Sequence, residues 1–137
     1  MKTQTIDIDK IMASFRKIDL YGIIKELGIE ICAYGPNEEL FKECGIGFML
    51  DADGFAYAYD DGRFLIAYNE TRPIRTIRYT LAHELGHILL GHVAPEQPQG
   101  RLIISSNPQL ELEANIFASV ILALEFFTEY CGKDVTT

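Results

Sequence analysis

The spacing of hydrophobic residues near the N-terminus predicts helices. Two sets of apolar residues recur at intervals of three and four: Ile8, Ile11, Met12 and Phe15, and then Leu20, Ile23, Ile24 and Leu27. Such spacing places each set on one face of a helix. Asp19 stands where the second helix would be capped, and Gly28 stands where it would end. The pattern therefore predicts two short helices in this part of the chain.

A different pattern, with shorter apolar runs, follows between residues 29 and 68. In residues 29–33, apolar side chains alternate with polar or small ones, which predicts a first strand. The segment around residues 40–41 fits either a loop or one helical turn. Runs rich in aromatic and branched residues occupy 45–50, 55–59 and 63–68. Asp53-Gly54 and Asp61-Gly62 separate them, and Asp-Gly is typical of hairpin turns. We expect a β-meander whose last strand, 64–68, lies at a sheet edge.

Helical spacing returns in the second half. Pro73 suits a first helical position, and Gly91 would end a helix over residues 73–90. Residues 92–107 carry several prolines and predict a long loop. A last helix is predicted from about 110 to 130, with one apolar face formed by Phe117, Val120, Ile121 and Leu124. Helices and strands thus segregate along the chain, which predicts an α+β domain over residues 1–137.

Composition narrows the range of functions. The 137 residues carry a net charge of -8, and an acidic surface repels phosphate backbones, so we expect no direct nucleic-acid binding. We interpret Arg72, Arg75 and Arg78 as a solvated helix face. The three cysteines have no C-x-x-C spacing, and the sequence lacks a signal peptide and a run of roughly 18 apolar residues. We therefore expect a cytoplasmic protein that does not enter a membrane.

Residues 83–87 read His-Glu-Leu-Gly-His, the H-E-x-x-H pattern. Residues four apart lie one above the other on a helix, so His83 and His87 can reach the same zinc ion. Glu84 is rotated away by one residue, where it can hold and deprotonate a water molecule. The alternative is a helix with two surface histidines. Because apolar residues flank the motif on nearly every side, the helix should be buried, and we favour the metal site.

The sequence just after the motif does not supply the third ligand. A metzincin extension would need glycine and histidine where Leu90 and Val93 stand. His92 follows the helix-ending Gly91, so we place it in a loop, off the ligand face, with at most a contact to substrate.

The last helix offers two carboxylates for the third ligand position. Glu111 and Glu113 point about 200° apart on a helix. Glu111 shares a row with Asn115 and Ala118, and an amide can hold a ligand histidine by its outer nitrogen. We predict that Glu111 is the third ligand and that the amide of Asn115 holds one of the ligand histidines in place. The alternative is a solvated helix start, where acidic residues are common.

Two stretches together resemble a known family. R-Y-T-L-A-H-E-L-G-H at 78–87 and E-L-E-A-N-I-F-A at 111–118 are similar to the two motifs of the ImmA/IrrE zinc metallopeptidases. The resemblance implies a zincin-like fold, in which a small antiparallel or mixed sheet packs against the HExxH helix and a C-terminal helix. It also implies one Zn²⁺ per chain on His83, His87 and Glu111, with Glu84 as general base. Tyr79 replaces the usual phenylalanine, and residues 119–124 lack the family's closing Met-Pro.

The resemblance also implies a regulatory role. Family members of this kind cleave a helix-turn-helix transcriptional repressor of a phage, mobile element or stress regulon, so we expect a protein substrate of that type. One alternative is an antirepressor that sequesters its partner and uses zinc only for folding; another is a general housekeeping peptidase. The intact Glu84 favours catalysis, since a structural site needs no base. The residues do not specify an oligomeric state.

Overall fold

Three helices and a four-stranded sheet form the part of the chain that the computed structural model describes, namely residues 18–35, 39, 51–92, 101–103 and 107–134. In chain order the elements are α1 (Leu20–Glu26), β1 (Glu30–Tyr34), β2 (Gly54–Ala58), β3 (Phe64–Asn69), α2 (Ile74–Leu89), β4 (Arg101–Ile103) and α3 (Pro108–Asp134). The α+β class is confirmed. The predicted helix at 8–15 and the predicted strand at 45–50 lie outside the described residues, as do residues 40–41.

The sheet is mixed, with strand order β1-β3-β2-β4. β2 and β3 form the predicted hairpin, in which the Tyr59 amide donates to the Arg63 carbonyl at 2.9 Å and Gly62 has a φ of +89°. β1 pairs in parallel with the other side of β3. Our expectation that 64–68 is an edge strand is therefore wrong. The neighbour on that side comes from an earlier part of the chain, and the local pattern of β3 cannot reveal it.

On the other side of the hairpin, the last strand of the described part of the sheet is β4. This three-residue strand runs antiparallel to β2, with Tyr57 opposite Leu102. It interrupts the long loop that we predicted for residues 92–107. Three residues are too few to show a strand period, so only pairing with β2 identifies β4 as a strand.

The helix ends agree closely with the sequence pattern. Gly28 and Gly91 adopt φ values of +73° and +71° just beyond α1 and α2, a backbone conformation that glycine adopts without strain. Pro73 was predicted to be the first residue of α2. It is instead the N-cap residue, and the helix begins one residue later at Ile74. Asp19 is the N-cap residue of α1, but its side chain makes no capping hydrogen bond.

The main core lies between one face of the sheet and the helices. Because strand side chains alternate, Ala56 and Ile66 face α2, while Phe55 and Ala67 pack with Tyr34 on the opposite face. The helix-side core contains Leu20, Ile24, Ile29, Ala56, Ile66, Ile77, Leu81, Ala82, Leu85, Ile88, Ala118 and Ile121. Val120, predicted on the buried face of α3, is instead 53% exposed. Among the described helices, none is both long enough and apolar enough to cross a bilayer.

Candidate metal centre

The central turns of α2 present two imidazoles on one face. His83 and His87 are four residues apart on the helix, and their Nε2 atoms lie 3.1 Å from each other. Both side chains are largely buried because α2 packs on the sheet and on α3. Burial also lowers the pKa of His87, although the nearby Glu111 carboxylate raises it in part. The neutral imidazole, the form that binds metals, is therefore favoured at His87.

The first turn of α3 brings a carboxylate to the same point. Glu111 places Oε2 3.1 Å from His83 Nε2 and Oε1 3.0 Å from His87 Nε2. One ligand atom from each of the three residues lies within 4.8 Å of the others. The structure thus brings together the three side chains that we predicted as ligands. Two imidazoles and a carboxylate are the donor set of a catalytic zinc with an open coordination position.

A close approach of α2 and α3 makes this meeting possible. A methyl group on Gly86 would lie only 3.0 Å from the Phe117 ring, so the absent side chain leaves room for α3. Ala114 and Ala118, on the side of α3 that faces α2, are fully buried. The small residues where α2 and α3 touch therefore allow the two helices to approach closely enough for Glu111 to reach the histidines.

Glu84 lies in the same turn of α2, beside the cluster. The residue is 8% exposed, and its Oε2 has no hydrogen-bond partner among the described residues. Burial and, to a smaller extent, the negative charge of Glu111 raise the pKa of Glu84 to about 8. A buried carboxyl oxygen without a partner is costly, which is typical of a functional position. The arrangement leaves this oxygen available to a cation or a water molecule.

A cleft of about 220 Å³ opens beside His83 and Glu84. Its lining residues are Asp53, Gly54, Tyr79, Thr80, His83, Glu84 and Asn115. Gly54 begins β2 where the strand crosses α2, and a Cβ there would lie 2.5 Å from the Ala67 carbonyl oxygen. Only glycine fits this crossing, which keeps β2 close against the motif helix. The cleft connects solvent with Glu84 and with His83.

Comparison with known families agrees with this geometry. The model of the family Peptidase_M78, described as the IrrE N-terminal-like domain, matches residues 25–130. The chain belongs to this family. Searches of curated proteins and of solved structures found no significant match. The IrrE N-terminal-like match covers both motifs, the sheet and most of α3, and it confirms the resemblance drawn from the sequence.

Membership in the IrrE N-terminal-like family accounts for the architecture. The family is one of metallopeptidases with a zincin-like fold, so the sheet, the HExxH helix and the C-terminal helix have their expected counterparts here. The donor cluster lies between α2 and α3, where both family motifs meet.

In this IrrE N-terminal-like chain, Asn115 does not bond to a histidine as we predicted, but to Tyr79. The Tyr79 hydroxyl donates to Asn115 Oδ1 at 2.8 Å, and the Tyr79 ring stacks on His83 with centroids 6.0 Å apart. Among the described side chains, none bonds to His83 Nδ1. Asn115 is therefore linked to His83 through Tyr79, without a hydrogen bond of its own to that imidazole. The residue that departs from the family's usual phenylalanine provides this link.

His92 lies closer to the centre than we expected. Its Nδ1 is 2.9 Å from His87 Nδ1, and its Nε2 is 3.3 Å from Glu113 Oε2. We had placed His92 in a loop away from the ligand face and had treated Glu113 as pointing away from the site. Gly91 ends the helix as predicted, but its positive φ also permits a backbone turn that folds His92 back onto the helix end. A glycine between the two histidines is the sequence signal for that turn.

Proposed function

We propose that the chain is a zinc-dependent endopeptidase with a regulatory role. The observation that carries the proposal is the position of Glu84, a buried carboxyl with a free oxygen, between the donor cluster and the open cleft. A site used only for folding would have no use for a base at this point. Family membership supports the metallopeptidase class independently.

The donor set supports zinc as the metal. His83, His87 and Glu111 would hold the ion, and one ligand atom from each of them already lies within 4.8 Å of the other two. When bound, the ion polarises the scissile carbonyl and lowers the pKa of a coordinated water to about 7. A nearby cation would also favour the ionised form of Glu84, against the effect of burial.

Glu84 would transfer the protons of the reaction. Its free carboxylate oxygen takes a proton from the attacking water as the new C–O bond forms at the peptide carbonyl. The same proton then passes to the leaving amide nitrogen as the C–N bond breaks, which regenerates the carboxylate. The partial exclusion of water around Glu84 strengthens these interactions.

For the substrate, we propose a helix-turn-helix transcriptional repressor of a phage, mobile element or stress regulon. The resemblance to the ImmA/IrrE motifs supports this choice. The net charge of -8 supports it too, because an acidic surface attracts the basic DNA-binding face of a repressor. A protein partner of that charge would be steered toward the chain at low ionic strength.

A second candidate function is sequestration of the repressor without cleavage. Co-expression of a reporter, the repressor and either wild type or Glu84→Gln separates the two functions. For a protease, Glu84→Gln binds the repressor but produces neither the cleaved fragment on an immunoblot nor induction of the reporter. The matched control is Glu129→Gln, the same change at an exposed position of α3, which should behave as wild type. Induction by Glu84→Gln with uncut repressor would contradict the protease.

A further inference from the structure

The C-terminal end of α2 forms a tight cap that returns the chain to His87. The amide of His92 donates to the His87 carbonyl at 3.0 Å, and the amide of Gly91 donates to the Ile88 carbonyl at 3.2 Å. With the positive φ of Gly91, these two bonds form a Schellman motif. In this motif the residue after the glycine packs against the residue five positions earlier. Here that pair is two histidines.

The two imidazoles meet through their Nδ1 atoms, on the side of His87 opposite the donor cluster. His87 Nε2 faces His83 and Glu111, while its Nδ1 lies 2.9 Å from His92 Nδ1. The His92 side chain is only 4% exposed, and its Nε2 contacts Glu113 Oε2 at 3.3 Å. A continuous row of polar contacts therefore connects the ligand atom of His87 with a carboxylate two residues after Glu111.

Metal binding at His87 would determine which atom donates and which accepts in each hydrogen bond from His87 through His92 to Glu113. When Nε2 of a neutral His87 is a ligand, its proton must be on Nδ1, which then donates to His92 Nδ1. His92 must accept there, so its own proton is on Nε2 and is donated to Glu113 Oε2. Both nitrogens of His92 are then in use, so His92 is not itself a ligand. Its contacts are those of an imidazole that orients another imidazole.

We propose that His92 and Glu113 are positioning residues for the ligand His87. Together they hold the His87 ring in the tautomer and orientation that bind the metal, as a carboxylate does directly in many zinc sites. Here His92 extends that contact by one imidazole. The inference rests on the metal site of the proposed function, since it assigns how one of its ligands is held.

Zinc affinity measured by competition with a chromogenic chelator tests the proposal without any substrate. His92→Leu and Glu113→Ala should each weaken zinc binding roughly 10–100-fold. His92→Asn should recover most of the loss, because the Asn side-chain oxygen can accept at the place of Nδ1. Glu129→Ala, at an exposed position of the same helix as Glu113, is the matched control and should bind zinc as wild type does.

Thermal unfolding of the metal-free variants separates positioning from helix capping. For positioning residues, the melting temperature of metal-free His92→Asn and His92→Leu should be alike while their zinc affinities differ. The d–d spectrum of the cobalt-substituted protein should change in His92→Leu and return toward wild type in His92→Asn. Should His92→Leu not fold, Glu113→Ala provides the same comparison against Glu113→Gln, whose amide oxygen still accepts from His92.

Three results would overturn the inference. They are wild-type zinc affinity in His92→Leu and Glu113→Ala, equal loss in His92→Leu and His92→Asn, and a loss that follows the metal-free melting temperature. Failure of the proposed function gives different results: without the metal site, wild type itself would bind no zinc, and without proteolysis the variants would still differ in zinc affinity while wild type left the repressor uncut.

Discussion

Arg78 of α2 forms an ion pair with the buried carboxylate of Glu125 on α3. The other oxygen of Glu125 accepts a hydrogen bond from the Leu20 amide at 2.6 Å, at the first turn of α1. One carboxylate therefore joins all three described helices. We had interpreted Arg78 as part of a solvated helix face, and the structure shows that it pairs with a buried charge instead. The pair fixes α3 against α2 at a distance from the metal centre.

Arg78→Met should lower the free energy of unfolding by about 3–5 kcal/mol, since it leaves Glu125 buried without its counter-charge. Urea unfolding monitored by circular dichroism measures this. Arg75→Met is the matched control, because Arg75 is exposed on the same helix, and it should change stability by less than about 0.5 kcal/mol. Adding Glu125→Gln to Arg78→Met should restore part of the loss. Equal effects of the two arginine variants would contradict the role of the pair.

Purified protein should contain about one zinc per chain. Glu111→Ala should lose most of the metal on dialysis, because it removes one of three ligands. Glu84→Gln should keep the metal and lose hydrolysis, since it removes a base and no ligand. Elemental analysis of both variants, with Glu129→Ala as the control, gives the occupancies. Full occupancy in Glu111→Ala would place the third ligand elsewhere.

Gly86→Ala should weaken both stability and metal binding. The added methyl would overlap the Phe117 ring and push α3, with Glu111, away from the histidines. Overpacking of this kind costs about 1–3 kcal/mol, more than alanine gains in helix propensity. Gly22→Ala in α1 is a useful comparison, because its methyl meets only the Asp19 side chain, which can move. We expect that variant to be as stable as wild type or more so; a loss in Gly22→Ala and none in Gly86→Ala would contradict this view of the helix contact.

Tyr34 should make stability fall at alkaline pH. Burial raises the pKa of Tyr34 from 10.0 to about 12, and its hydroxyl donates to the Ala52 carbonyl at 2.6 Å. Above pH 10 the unfolded chain loses this proton while the folded chain keeps it, so the free energy of unfolding decreases up to about pH 12. Tyr34→Phe should show a shallower decrease over that range in urea unfolding. Parallel curves for the two proteins would contradict the assignment.

The sequence was most informative where neighbouring residues decide the structure. The bounds of α2 follow from Pro73, Gly91 and the apolar spacing between them, and the i, i+4 rule brings His83 and His87 together. The helical-wheel argument also selected Glu111, the carboxylate that the structure places beside both histidines. It used the small residue Ala118 to identify the side of α3 that approaches α2, and Ala118 is fully buried.

Predictions from the sequence were wrong, or could not be made, where contacts with a distant segment of the chain determine the structure. The interior place of β3 depends on β1, and β4 is defined only by its pairing with β2. His92 was placed in a loop away from the ligand face because it follows Gly91, but the turn at Gly91 brings it back to His87. Asn115 was predicted to hold a histidine, but it bonds instead to Tyr79, which lies 36 positions away in the chain.

The cap at Gly91 also makes the site sensitive to changes in chain length. If the helix continued through Gly91, His92 would lie five residues after His87 and would point about 140° away from it around the helix axis. The glycine turn replaces that rotation, but only when it stands four positions after His87. Inserting one residue between them would lengthen α2 by about 1.5 Å and turn its end by about 100°, separating the two imidazoles although every side chain is retained. The number of residues from His87 to His92 is therefore as much a part of the site as their identities.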